Sequence, residues 1–289
     1  MKKSIISTEI NSSARTLGEE KAIEAVAKAG FDAWDFSMFK NVVVYTNDTR
    51  TAIPADHPLA GKNYLSFARQ LKKVGEDNGI FCNQSHAPFP THCKQIRDAY
   101  KRCLELTAEA GGKICIIHPD NDKTPEENGE MYLELLPFAK SVGVKIATEN
   151  MWNWDYDNHH ALPAACSDHE NFLAHINAVN DDYLVACLDI GHAEMKGLNT
   201  SVPQMIRTLD SHLQALHIHD NDKMHDYHWL PFEKNIDFLE MVRELKAINY
   251  KGDFTMEADA YVSKHPDLIV ALKNLATTAR KIADEFDNL

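Results

Sequence analysis

Hydrophobic and polar positions alternate along this chain in two registers. Short runs rich in β-branched and apolar residues are followed by longer stretches in which apolar residues return every three or four positions. The short runs predict eight strands, over roughly Ser4–Ile10, Phe31–Phe36, Ile80–Ser85, Ile114–His118, Val144–Glu149, Leu184–Asp189, Ala215–His219 and Phe254–Glu257. The longer stretches predict helices over Gly18–Ala29, Asn63–Asn78, Lys94–Ala110, Pro125–Val142, Asp168–Val179, Pro203–Leu209, Asp237–Ile248 and Pro266–Phe286. In the last of these, Leu268, Leu272, Leu275 and Ala279 fall on one stripe that can face a sheet. Gly30, Gly79, Gly111 and Gly143 stand where four helices should end in a left-handed residue.

Strand and helix alternating eight times predict a parallel sheet, and eight units favour closure into a (β/α)8 TIM barrel over an open doubly wound sheet. At 289 residues the chain suits one barrel, and no linker or composition shift divides it, so residues 1–289 are expected to form a single TIM-barrel domain. Two connections exceed the barrel minimum, Thr46–Gly61 after the second strand and Trp152–Ser167 after the fifth. Long connections in a compact domain commonly serve as lids or binding loops; simple surface insertion is the other reading.

Composition narrows the class further. With 44% hydrophobic and 25% charged residues, the chain is not a disordered, collagenous or disulfide-scaffold protein. Its net charge of −13 disfavours a broad phosphate-binding surface, so nucleic acid is not the expected partner. Polar residues interrupt the first stretch and no long apolar run follows, so neither a signal peptide nor a membrane span is expected. The six cysteines form no CxxC pair and several sit in apolar runs, which points to reduced thiols and a cytoplasmic setting. Whether the chain forms a homo-oligomer is left open.

The candidate chemistry emerges when the strand ends are aligned. The third ends in QSHAPF with His86, the fourth in IIHPDN with His118 and the fifth in IATEN with Glu149. The sixth ends in CLDIGH with Asp189 and His192, the seventh in LHIHDND with His217, and the eighth in TMEAD with Glu257. In a βα barrel these ends converge on the C-terminal rim, where active sites are built. Glu149, Asp189 and Glu257 would crowd three carboxylates around one cavity, with no Lys or Arg at any strand end to offset them. A structural polar core is the plainer reading. A divalent cation is the more economical one, and oxygen donors with imidazole suit Mn, Mg, Co or Zn.

In order along the chain, the motifs FDAWDFSMF, SHAPF, IIHP, ATEN, LDIGHAE, LHIHDND and MEAD resemble the xylose-isomerase-like TIM barrels, which include sugar phosphate isomerases and epimerases, ketose 3-epimerases and the endonuclease IV group. The resemblance covers nearly the whole chain. Similarity to the epimerases implies that Glu149, Asp189, His217 and Glu257 ligate one metal and that Glu149 and Glu257 are the acid/base pair. Such a metal would polarise a substrate carbonyl while the two carboxylates work on opposite faces of a small sugar. His86, His118 and His192 would hold hydroxyls or assist proton transfer, and Trp152, Trp154 and Tyr156 would offer apolar faces to the ring.

The same resemblance carries a rival. The multi-zinc ligand pattern of the endonuclease IV group is matched by His86, His118, Glu149, Asp189, His192, His217, Asp226, His228 and Glu257, with Asp226 and His228 in HDYH able to hold a further metal beside His192. Against a DNA substrate, the loops Thr46–Gly61, Trp152–Ser167 and Asp222–Phe232 carry only Arg50 and Lys223 among many acidic and His residues. The stretch HDNDKMHDYHWLPF, moreover, is similar to the form typical of the sugar isomerases and epimerases, although PFEKN stands where they usually have a Gly-rich turn. A non-catalytic sugar or metal binder is the third reading. No P-loop, GxSxG, HExxH or GxGxxG motif is present, so no nucleotide cofactor is expected.

Overall fold

The computed structural model describes residues 3–40, 43–44, 51–54 and 57–289. Eight parallel strands make one sheet: β1 (Ile6–Glu9), β2 (Ala33–Ser37), β3 (Phe81–His86), β4 (Ile114–Ile116), β5 (Lys145–Glu149), β6 (Leu184–Asp189), β7 (Leu213–His217) and β8 (Phe254–Met256). Their order is β7-β6-β5-β4-β3-β2-β1-β8. Just past β7, the Ile218 N–H donates to the Thr255 carbonyl at 2.9 Å and the Ile218 carbonyl accepts from Glu257 N–H at 3.0 Å. These two bonds join the ends of the sheet, and the barrel is closed as the strand count predicts.

The helices Glu19–Ala29, Tyr64–Asp77, Lys94–Ala110, Pro125–Val142, His169–Val179, Val202–Leu209, Phe238–Ala247 and Leu268–Asn288 follow the eight strands in turn. Their starts are written into the chain. Thr124 and Glu127 form a reciprocal capping box with Pro125 behind it, while Asp168, Ser201, Asp237 and Asp267 accept N–H groups of the first turns. Gly30, Gly79, Gly111 and Gly143 all have positive φ. The main core, with Trp34, Tyr132, Phe172, Phe238 and Phe254 buried, lies between sheet and helices. Each such side chain contributes roughly 1.5–3 kcal/mol by leaving water.

Strand parity places the polar site. Ile146, Ala186, Leu188 and Leu216 belong to the outer core, whereas Ile116, Ala147, Val185, Cys187 and Ala215 form a separate small apolar plug. Glu149, Asp189 and His217 each stand two residues beyond a plug residue on the same strand. They therefore point into the barrel, stacked on an apolar floor.

Several elements depart from the sequence expectations. The helix Asn11–Leu17 buries Asn11, Ser12, Ser13 and Ala14, so it has no apolar stripe to read. Asp259–Lys264 and Ile190–Ala193 are short rim helices. The connection Trp152–Ser167 is not a plain loop: Asn153–Asp155 pairs antiparallel with His160–Leu162. Within the other long connection, Thr51–Ala52 pairs with Val43–Val44, and Arg50 lies outside the described residues. Among the described residues no helix is long and apolar enough to cross a membrane.

Candidate metal centre

Glu149, Asp189, His217 and Glu257 bring one ligand atom each to within 4.8 Å of one another. Glu149 Oε1 lies 3.1 Å from His217 Nδ1, and Glu257 Oε2 lies 3.3 Å from the same nitrogen. Asp189 caps the helix Ile190–Ala193 by accepting from His192 N–H at 2.7 Å, and Asn150 clamps its backbone through a reciprocal pair of bonds at 2.8 and 2.9 Å. All four side chains are buried, and among the described residues no Lys or Arg lines the cavity above them. Three packed carboxylates with imidazole and no fixed cation form a donor set that fits a hard or borderline divalent metal.

Two further groups flank this one. His118 Nε2 stands 3.1 Å from Glu149 Oε2 and 2.9 Å from His86 Nε2, so His86, His118 and Glu149 meet on one side. On the other side Asp226 Oδ2 lies 3.2 Å from His192 Nε2 and 3.1 Å from His228 Nε2. His219 completes that second group, with Nε2 at 3.1 Å from both Asp189 oxygens and its ring stacked 4.0 Å above His228. The nine positions singled out in the sequence thus all meet at one rim.

The protein's own charges push these groups apart. Burial would raise the Glu149 pKa, but His217 and His118 hold it well below the ordinary value. Burial raises Glu257 well above its ordinary value, and Glu9, Glu149 and Asp189 add to the rise despite His217. Against the effect of burial, His192 and His219 bring Asp189 down to about 2. His192 and His228 are likewise disfavoured as cations by burial, yet Asp189 and Asp226 carry His192 to about 10, and Asp226 carries His228 to about 9. Burial takes His86 down to about 4.

A cavity of about 390 Å³ opens over the cluster, bounded by Phe39, Phe89, Met151, Trp152 and Tyr227. Trp152 lines it. Trp154 does not: with Trp152 it packs against Ala161, Met195 and Leu198 in the hairpin's own small core. Tyr156, 82% exposed on the hairpin turn, is not among the residues bounding the cavity. The hairpin explains Trp154, whose ring is spent on the hairpin's own small core.

Three residues escaped the sequence reading. Glu9 ends β1 and has both carboxylate oxygens buried without a partner. Asp35 lies in the middle of β2, fully buried, and accepts from Gln84 Nε2 at 2.8 Å. His219 follows β7 at the parity of His217. Glu9 was recoverable from the same strand-end rule that located Glu149 and Asp189.

Comparison with known proteins gives a consistent picture. The family model described as a xylose isomerase-like TIM barrel matches residues 23–281. An uncharacterised protein of Methanocaldococcus jannaschii is 24% identical over 255 residues, covering 82% of this chain and 78% of that one. Among solved structures, the IolI protein with a bound zinc atom superposes with a TM-score of 0.72 at 16% identity, covering 98% of this chain and 99% of the other. A D-tagatose 3-epimerase-like protein gives 0.70 at 20% identity over 97% and 98% of the two chains. The 3-keto-D-glucoside 4-epimerase of E. coli gives 0.70 at 15% identity over 96% and 100%.

Proposed function

The chain belongs to the xylose isomerase-like TIM-barrel family, and on that premise we propose that it is a divalent-metal-dependent isomerase or epimerase of a small ketose or aldose. The observation that carries this reading is the group Glu149, Asp189, His217 and Glu257, four ligand atoms mutually within 4.8 Å beneath the cavity. The structural relatives named as epimerases, and the zinc atom named in the IolI structure, support the same direction.

Bound there, a divalent Mn, Mg, Co or Zn ion would supply Lewis-acid polarisation of a substrate carbonyl and its neighbouring hydroxyl. The rest of the chemistry lies with the chain. Glu149, held ionised by His217 and His118, is the group suited to take the proton from the carbon beside the carbonyl. Glu257, whose Oε2 stands 3.3 Å from His217 Nδ1, is the second carboxylate of the group and is suited to carry a proton back. His86 and His118 stand beside Glu149 and can hold substrate hydroxyls, as can His192, Asp226 and His228 across the cavity. Trp152, Phe39 and Phe89 exclude water and offer flat apolar faces to a sugar ring. The buried thiols of Cys82, Cys103, Cys115, Cys166 and Cys187 fit a reducing, cytoplasmic setting.

The test is to incubate the metal-loaded protein in D2O with a panel of free ketoses and aldoses. Deuterium entering the carbon next to the carbonyl, followed by a changed sugar, supports the reading. No exchange with any sugar and any of the four metals contradicts it.

A second reading rests on a specific observation. His192, His219, Asp226 and His228 form a further group of metal-type donors, and His86, His118 and Glu149 another. Two or three zinc ions across these groups would suit an apurinic endonuclease or phosphodiesterase of the endonuclease IV type, clamping a phosphodiester and activating water. Cleavage of an abasic DNA duplex by the zinc-loaded chain would place this reading first.

A further inference from the structure

His217 offers its two nitrogens to two different surroundings. Nδ1 faces Glu149 Oε1 at 3.1 Å and Glu257 Oε2 at 3.3 Å. Nε2 points the opposite way, toward Asp35 Oδ2 at 3.7 Å, a distance of ion pairing. Both side chains are fully buried. His217 Nε2 and Asp35 Oδ1 have no hydrogen-bond partner, while Asp35 Oδ2 is oriented by Gln84 Nε2 at 2.8 Å. A ring shift of about 0.7 Å brings Nε2 within hydrogen-bond range of that oxygen.

An imidazole that gives its Nδ1 lone pair to a cation must carry its proton on Nε2, and a buried N–H needs an acceptor. Asp35 is the carboxylate placed to be one. We propose that Asp35 is a positioning residue that takes the Nε2–H of His217 and so leaves the Nδ1 lone pair turned toward a cation held among the Glu149, Asp189 and Glu257 carboxylates. The inference rests on the metal-centre reading above. Carboxylates in this place orient a ligating imidazole and raise its basicity, and their loss commonly weakens metal binding about 10–100-fold. The strand pattern supplies Asp35 at no extra cost in fold, because β2 and β3 are neighbours and Gln84 pairs directly with Asp35 in register.

Two measurements test it. In the metal-free wild-type protein, nitrogen-edited NMR should find a His217 Nε2–H resonance that is protected from solvent exchange, and Asp35→Asn should move it. A freely exchanging proton in the wild type, or an unmoved resonance in Asp35→Asn, overturns the proposal, and the wild-type experiment needs no variant to fold. The second measurement is zinc affinity by chelator competition in a double-mutant cycle. Asp35→Asn should weaken binding about 10–100-fold in the wild-type background and less than about threefold in His217→Ala. Equal losses in both backgrounds mean that Asp35 acts only through its charge, which contradicts the assignment. If the wild-type chain binds no divalent ion, the metal-centre reading fails, while the NMR result still decides whether Asp35 holds His217.

Discussion

The imidazole of His219 passes so close to Gly191 that a β-carbon on the glycine would stand 2.0 Å from Cε1. Glycine in the DIGH segment therefore makes room for a ring that reaches both Asp189 oxygens. Gly191→Ala must displace His219 or the rim helix. The expected cost is about 1–3 kcal/mol of stability, the usual range for forcing extra volume into a packed site. Urea unfolding of the variant reads this directly; an unchanged midpoint would show that the ring is not held where the structure places it.

The two glutamates are expected to fail differently. Glu149→Gln removes the base, so deuterium exchange and turnover should both fall about 10²–10⁴-fold. Glu257→Gln should reduce net conversion by a similar factor while leaving more of the exchange, because deprotonation from the Glu149 side survives. Both are assayed at saturating metal. Full turnover in either variant removes that residue from the acid/base pair.

Protonation of the His192–Asp226–His228 group predicts a pH profile for the metal-free protein. The two imidazoles rise from an ordinary 6.5 to about 10 and about 9 in the folded chain. Between those values the folded state holds protons that the unfolded state has released, so the contribution to stability is full below 6.5 and is lost as pH rises through 9 to 10. Thermal unfolding in chelator from pH 6 to 10 should show this decline, and a smaller one in Asp226→Asn, where Asp189 still faces both imidazoles. Any cation entering this group has to displace the same protons, so a second equivalent of metal should bind more readily at higher pH.

Glu9 carries the opposite liability. Burial raises its pKa well above the ordinary 4.5, and Asp259 and Asp35 reinforce the rise. It therefore costs stability as pH climbs above 4.5. Glu9→Gln should raise the melting temperature of the metal-free protein at pH 8 by at least about 2 °C, the shift that roughly 1 kcal/mol gives in a large domain, with the gain vanishing near pH 4. A lower melting temperature at pH 8 would mean that the charged carboxylate has a partner.

The strand ends were legible because a barrel strand buried on both faces reads as an apolar run, and an acidic or His residue closing it stands out. Glu149, Asp189, His217 and Glu257 all met that condition. Asp35 did not, since it lies inside β2 between Trp34 and Phe36 and its significance depends on Gln84 and His217, both distant in sequence. His219 closed the expected strand Ala215–His219 but was passed over because the resemblance pointed to His217; β7 in fact ends at His217, with His219 two residues beyond it. The aromatic residues of the fifth connection misled for another reason. Trp154 resembles a pocket wall in sequence, but the hairpin Asn153–Asp155 with His160–Leu162 needs a core of its own and takes it.

The most direct test is metal content per chain, by elemental analysis of protein purified without added metal or chelator, for the wild type and for His217→Ala. The account predicts at least one equivalent of a divalent metal in the wild type and its loss in the variant, where a four-ligand site has lost its nitrogen donor. A wild-type chain without stoichiometric metal, or a His217→Ala chain that keeps all of it, would contradict the assignment of Glu149, Asp189, His217 and Glu257 as the metal centre.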